Sequence, residues 1–587
     1  MVDMGINIRK KLIAVLKRIN KTFCILKDHW NQLTNKQKNL ILASGISIFA
    51  IFIWLQYGFL EFPLTNDMGI YLYGGRELLK GNLPYVNVFD VKPPMTFIVS
   101  GGGLLVFSNI LGFSPIVASR ITMLLFGAGT VIFTYLLVYR LFKDRTMGIL
   151  TAVILLSFTG FGWASLSGRP GIVMIFFAVS CLYALLRKKW LIAGTLAPMS
   201  ALAWHPGAIY PFIVIFYSLF TNGQRKEQFK KAIVGISLPI LAVVLYFFIM
   251  GGLQEMINQT VLFVLTYKQS GPWGSSLTLL NLGETIFYNY GTELLFFVCS
   301  FFGFILLLYK ERKQLKNLTN PLPFLLFAFL PLALYSLVDF QGWPDMIPLL
   351  PYIAIFAAYF LIKTSKKIGR LSEKRNRLHT KKATIYIILI VLICSTLYGT
   401  LPKFAHHEPV QDKILDVLSE KGDLQEVNTK LSEGKVVEAI SIIANDVGIA
   451  QFLKMMLFTV KTLDANLSEQ IDVARYIEDH TNSTQRSLFI GNPEILFLSN
   501  RKNFDRYVLY PADILYMKKN GKLSAFTEKV MKEKPPIIVL SGKSSGKNNT
   551  SNLTGFYLPP DLNLSEFINR EYEKTMQTKN YALFQKK

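Results

Sequence analysis

Apolar residues run through this chain in long uninterrupted blocks separated by short basic stretches, not in the alternating or three-to-four-residue patterns of half-buried strands and amphipathic helices. The clearest blocks are 41–57, 116–141, 233–250, 294–309 and 383–398. Each approaches the roughly 20 residues that a helix needs to cross a bilayer. After residue 398 the blocks stop and a pattern of soluble kind takes over. It is mainly helical over 412–463. From 471 it predicts an amphipathic helix to about 480, a strand at 487–490, a helix from Pro493, a strand near 507–510 and a buried strand at 537–541.

Composition agrees with a membrane protein, since 51% of the 587 residues are hydrophobic and 17% are charged. The net charge of +25 invites a nucleic-acid reading, but its distribution argues against one. The basic residues cluster between apolar blocks, at 9–18, 140–145, 187–189, 225–231, 310–316 and 363–382. Short loops rich in Lys and Arg mark the cytoplasmic side. Placing every cluster inside gives spans at about 39–59, 116–139, 146–164, 171–187, 190–204, 207–221, 232–250, 293–309, 321–340, 346–363 and 383–400, which alternate without contradiction. The apolar run 95–113 is left out, because counting it would move Arg140, Lys143 and Arg145 outside; with Gly101-Gly102-Gly103 it reads as a juxtamembrane or re-entrant helix.

The expected architecture is therefore a polytopic α-helical protein of the cell membrane with about 11 transmembrane helices and a C-terminal extracytoplasmic α/β domain. Residues 1–38 form a basic, mildly amphipathic cytoplasmic segment without a cleavage site. Residues 39–400 form the multi-span domain, with outer loops at 60–113 and 251–292, and 401–587 form an accessory domain. The aromatic and turn-forming residues at 267–290 fit either belt anchors or a flap over a substrate. Cys24, Cys181, Cys299 and Cys394 have the spacing of neither a zinc site nor a disulfide framework. The stretch 541–547 has lysines and glycines but not the spacing of a phosphate loop, and reads as a flexible loop. Sequons at Asn258, Asn466, Asn482, Asn548, Asn549, Asn552 and Asn563 permit glycosylation without showing it.

Candidate chemistry concentrates in the first outer loop, around Thr65-Asn66-Asp67-Met68 and Asp90-Val91-Lys92-Pro93-Pro94. Asp67 follows the first span closely, where an ionised carboxylate can accept the proton of an acceptor hydroxyl. Equally, Asn66-Asp67 can cap a helix over 70–80, with Asp67 favoured near its N-terminus. Arg76 and Lys80, four residues apart on that helix, either snorkel toward headgroups or, for Arg76, grip a lipid-linked phosphate. Lys92 is the better phosphate ligand, because the prolines after it restrict its backbone, and a fixed cation suits a leaving group whose charge grows. Arg120, Arg169, His205, Asp339 and Asp345 are the other ionisable groups in or beside spans. Arg120 and Arg169 lie near outer ends, as second phosphate contacts or anchors; His205 in Trp204-His205-Pro206-Gly207 reads as structural.

Taken together, Asp67, the Gly81-Asn82-Leu83-Pro84-Tyr85 turn and Asp90-Val91-Lys92-Pro93-Pro94 resemble the first outer loop of the GT-C glycosyltransferases. The nearest branch is the protein O-mannosyltransferase and lipid A aminoarabinose transferase group, and within it the dolichyl-phosphate-mannose mannosyltransferases. Gln341-Gly342-Trp343-Pro344-Asp345, Leu349-Leu350-Pro351, Ala474-Arg475-Tyr476-Ile477, Gly491-Asn492-Pro493-Glu494 and Ser499-Asn500-Arg501 add to the match. The resemblance implies a metal-independent, inverting transfer of a sugar, mannose, from a polyprenyl(dolichyl)-phosphate donor to a hydroxyl of a glycan, lipid or protein, with no cofactor. It makes Asp67 the catalytic base and Lys92, with Arg76, Asp90 and Arg120, the groups that bind lipid phosphate and sugar. Two departures stand out. Met68 follows Asp67 where protein mannosyltransferases have glutamate, and Asp345 stands where relatives often have histidine. An oligosaccharide transferase or polymer ligase is the alternative enzyme. A lipid-linked sugar transporter is the alternative outside catalysis, though no internal repeat supports it.

Overall fold

The structure is a computed structural model, described over residues 31–55, 63–221, 224–267, 293–338, 343–373, 467–508, 511–542 and 556–587. Helices occupy the first ten of the eleven expected spans: α1 (Asn35–Leu55), then, past the outer loop with α2 (Asn66–Leu79) and α3 (Met95–Gly103), α4 (Pro115–Phe142). There follow α5 (Arg145–Ser157), α6 (Thr159–Ala164), α7 (Pro170–Leu186), α8 (Trp190–Ala203), α9 (Ile209–Phe220) and α10 (Arg225–Ile249). The set continues with α11 (Leu253–Ile257), α12 (Phe263–Tyr267), α13 (Leu294–Lys310), α14 (Arg312–Leu315), α15 (Leu322–Val338) and α16 (Leu350–Glu373). Among the described residues, four helical segments are long and apolar enough to cross a membrane: α1, α4, α10 and the stretch Pro344–Lys367. The expected span at 383–400 and the helical stretch at 412–463 lie outside the described residues.

The bundle is packed inside and apolar outside. Trp54, Tyr135, Phe158 and Phe356 are fully enclosed, whereas Phe248, Ile249 and Phe301 on α10 and α13 are each more than 60% exposed. A surface of that kind is wrong for water and right for lipid. The basic clusters meet at one end of the bundle, where Arg145 donates to Asn35 and Asn39, Lys366 pairs with Asp144, and Lys363 pairs with Glu311. In the 95–113 run, α3 passes into a π-helical turn, Leu104–Ile110, and the two pack against α2 and α4. Two of its three glycines serve that packing. A Cβ on Gly101 would come within 3.0 Å of the Gly75 carbonyl of α2, and one on Gly103 would strike the Thr122 side chain of α4.

At the opposite end sits a mixed sheet with order β2-β1-β3-β5-β4. It is built from α17 (Leu467–His480), β1 (Arg486–Ile490), α18 (Pro493–Leu498), β2 (Lys502–Asn503), α19 (Pro511–Lys519), α20 (Leu523–Glu533), β3 (Ile537–Ser541), α21 (Ser565–Glu571), β4 (Tyr572–Gln577) and β5 (Tyr581–Lys586). Strand β1 runs parallel to β2 and β3; β5 runs antiparallel to both β3 and β4. Of the strand expected near 507–510, Tyr507 and Val508 are not in a strand and 509–510 lie outside the described residues; the strand found in this region is β2. The Asn503 amide donates to the Tyr507 carbonyl at 2.8 Å, and the Val508 carbonyl accepts the Gly491 N–H at 2.7 Å just beyond β1. The β4–β5 hairpin was not expected from the sequence. Its β4 face is half-exposed and polar, with the pattern Tyr572-Glu573-Lys574-Thr575-Met576-Gln577, so it carries no apolar alternation.

Candidate active site

The Asp67 loop is shaped from its N-terminal end. Thr65, in extended backbone, caps α2 by accepting the Met68 N–H at 3.2 Å, and its own hydroxyl donates to the Ser167 carbonyl at 3.0 Å. The cap expected of Asn66-Asp67 is thus supplied one residue earlier, and the helix starts at Asn66. Asp67, in the first turn, turns its carboxylate toward other partners. Favourable charge at a helix N-terminus still applies to it.

Those partners are two cations from separate parts of the chain. Arg169 Nη1 donates to Asp67 Oδ2 at 2.6 Å, and Lys92 Nζ lies 3.6 Å from Oδ1. Arg169 reaches this position because Gly168 adopts φ +67° and Pro170 starts α7 directly after it. The same turn presents Ser167 to Thr65 and Gly168 to Met68, which is buried beneath it. Lys92 is held through its backbone: Tyr85 Oη donates to its carbonyl at 2.8 Å, and the N–H groups of Val91 and Lys92 donate to Asp90 Oδ1 at 2.7 and 3.3 Å. The three charged side chains of the cluster remain between 21% and 27% exposed, so a substrate can reach them.

Electrostatics separates the two carboxylates. Burial acts to raise the Asp67 carboxyl, but Lys92 and Arg169 overcome it and hold the group below the ordinary aspartate value. Asp90 is buried, and burial pushes it up to about 6 against the pull of Lys92, with the neighbouring Asp67 adding to the rise. Burial also raises the hydroxyl of Tyr71, which lies beside both carboxylates. Asp67 is thus a standing anion between two cations, and Asp90 is the acceptor that folds the Lys92 turn.

Of the residues expected at the site, the structure brings Asp67, Asp90 and Lys92 together. Arg76 lies elsewhere: its guanidinium donates to the carbonyls of Phe497 and Arg501 and to Asn500 Oδ1 at 3.0, 3.4 and 2.9 Å, and rests on the Phe497 ring. It joins α2 to the sheet domain. Lys80 pairs with Glu77. Arg120 is fully buried in α4, and among the described residues no hydrogen bond or ion pair joins it to Asp67, Asp90 or Lys92. His205 Nε2 donates to the Thr260 carbonyl at 2.8 Å. The expected flap beyond Tyr267 lies outside the described residues. Arg169 is the member that sequence reasoning left ambiguous; its only local signal was Gly168-Arg169-Pro170 at an outer helix start.

No family model matches the chain. It is 21% identical over 255 residues to a dolichol phosphate-mannose mannosyltransferase of Haloferax volcanii, covering 42% of this chain and 54% of that protein. It is 26% identical over 324 residues to an uncharacterised protein of Aquifex aeolicus, covering 53% of this chain and 61% of the relative. The chain thus aligns with a little over half the length of these relatives. Among solved structures it is similar to ArnT from Cupriavidus metallidurans, bound to undecaprenyl phosphate (TM-score 0.52, 13% identity, 92% of this chain and 97% of that one). The apo state of the same protein gives a TM-score of 0.54 at 12% identity over 94% and 98% of the two chains. The similarity of fold thus covers most of the chain.

Proposed function

Starting from a chain with the fold of the GT-C glycosyltransferases, we propose that it transfers a sugar from a polyprenyl-phosphate donor to a hydroxyl acceptor at the outer face of the cell membrane. Mannose is the proposed sugar, on the strength of the Haloferax relative. The observation that carries the reading is the Asp67–Lys92–Arg169 cluster, one accessible carboxylate between two cations beside the ends of apolar helices. The basic clusters at the far end of the bundle support this orientation, because short loops rich in Lys and Arg favour the cytoplasmic side.

The acceptor oxygen attacks the anomeric carbon and forms the new C–O bond as the bond from that carbon to the phosphate oxygen breaks. Asp67 takes the acceptor proton, and the lipid phosphate leaves with the electron pair. Lys92 and Arg169 neutralise the charge that accumulates on it. A carboxylate locked between two cations is a poor base, since both favour its ionised form. An entering phosphate competes for the same cations, so donor binding loosens the ion pairs and raises the proton affinity of Asp67 when it is needed. Asp90 keeps the Lys92 turn closed through its backbone acceptor role.

The test is transfer by the purified protein in lipid vesicles supplied with dolichyl-phosphate mannose labelled in the sugar. The reading expects label in a hydroxyl-bearing acceptor and one free dolichyl phosphate per transfer. Use of a nucleotide sugar, or movement of a lipid-linked oligosaccharide en bloc with no use of the monosaccharide donor, would overturn it.

A further inference from the structure

Besides the Arg76 contacts, the sheet domain grips the backbone of the first outer loop on the approaches to Asp67 and to Lys92, and neither grip is on the Asp67 carboxylate or the Lys92 ammonium. The first is at Leu64, three residues before Asp67. The Gln470 carboxamide of α17 accepts the Leu64 N–H at 2.9 Å and donates to the Leu64 carbonyl at 2.9 Å, pairing with it as a neighbouring strand would. Gln470 is 1% exposed, and its amide also donates to Tyr581 Oη at 3.2 Å, whose hydroxyl donates to Glu494 Oε1 at 3.0 Å. The Pro493-Glu494 backbone then meets α2 at Gly69, where a Cβ would lie 2.3 Å from the Glu494 nitrogen. The two contacts bracket Asp67.

The second grip is on the segment leading to Lys92. Arg506 Nη1 donates to the Tyr85 carbonyl at 3.2 Å and pairs with Glu255 at 3.0 Å, while the Arg506 carbonyl accepts the Phe89 N–H at 2.9 Å. Gln259 donates to the same Tyr85 carbonyl at 2.8 Å. Tyr85 in turn holds the Lys92 carbonyl through its hydroxyl. The Phe89 ring is clamped by Phe263, Tyr507 and Tyr516, two of them from the sheet domain.

We propose that the sheet domain belongs to the reaction centre by position, with Gln470 and Arg506 as positioning residues: Gln470 places the Asp67 carboxylate and Arg506 places the Lys92 ammonium. This rests on the transfer reading of the cluster. The two side chains reach the acid and the cation through separate backbone segments, so their loss has separable effects. A shift of about 1 Å in a reacting group costs on the order of 100-fold in rate.

The experiment uses the full chain in nanodiscs, with Gln470→Leu and Arg506→Gln compared by hydrogen exchange and by transfer kinetics. Q470L is expected to speed amide exchange at 64–70 at least tenfold and to lower kcat by about 10- to 100-fold at unchanged KM for the donor. R506Q is expected to speed exchange at 85–92 and to raise the donor KM, with a smaller change in kcat. Wild-type exchange in both segments, or variants that lose only folded yield while kcat and KM per folded enzyme stay as in wild type, would overturn the proposal. Exchange requires no turnover, so a wild type that exchanges as described but transfers nothing would sink the transfer reading and with it the kinetic role of both residues. Gln470→Glu, which keeps the acceptor for the Leu64 N–H but sets an oxygen against its carbonyl, is expected to fall between wild type and Q470L.

Discussion

Thr65 caps the helix through its hydroxyl, so the cap role that the sequence offers to Asn66-Asp67 is filled one residue earlier and the Asp67 carboxylate meets Lys92 and Arg169 instead. Asp67 and Lys92 were legible as candidates because each stands beside a local feature, a helix start and a proline pair. Arg169 was not, since its ion pair joins residues 102 positions apart and no local pattern encodes that. Arg169→Gln removes one of the two cations that depress the Asp67 carboxyl, so its pKa rises. The acid limb of the kcat/KM profile is expected to move to higher pH, together with weaker donor binding; an unmoved limb would separate Arg169 from the base. Glu494 offers a second titration. Burial pushes it up to about 8, with Tyr581 of β5 donating to it, Gln470 and Glu469 of α17 behind that tyrosine, and the α2 backbone at Gly69 facing it. The folded protein therefore keeps a proton that the unfolded chain releases above the ordinary glutamate value, and stability falls as pH rises from about 4.5 through 8. Glu494→Gln should flatten Tm across that window; a Tm as steep in the variant as in wild type would contradict the assignment.

Among the elements, apolar block length was enough to place helices in ten of the eleven expected spans, because lipid imposes one solution on the backbone, although 146–164 is divided between α5 and α6 and α16 runs on to Glu373. The soluble elements were less legible. The short strand β2 is too brief to show alternation, and the polar face of β4 hides it. The packing of α2 is set by glycines whose role no single sequence reveals. Gly69 sits against the backbone of Glu494, which cannot yield as a flexible side chain would. Gly69→Ala forces α2 away from the sheet domain. Overpacking of this sort costs about 1–3 kcal/mol, and thermal unfolding should show it as a lowered Tm, with kcat reduced because Asp67 is two residues away. A variant with wild-type Tm and turnover would show that the contact is not tight in solution.

For the whole molecule, the proposed orientation rests on the charge pattern along the sequence and on the clustering of those charges in space. Arg145, Lys363 and Lys366 gather at the end opposite the sheet domain. In a background lacking the native cysteines, an impermeant thiol reagent added to intact cells should label Asn520→Cys in the sheet domain. Lys313→Cys, in α14, should label only after permeabilisation. The reverse pattern would invert the topology and put the reaction inside. The account as a whole depends on Asp67 serving as the base. The direct measurement is single-turnover transfer from dolichyl-phosphate mannose by Asp67→Asn, with donor binding measured on the same sample. A positioned base contributes about 10²- to 10⁴-fold, so the variant should bind donor and lose transfer by that factor; transfer at the wild-type rate would contradict the mechanism.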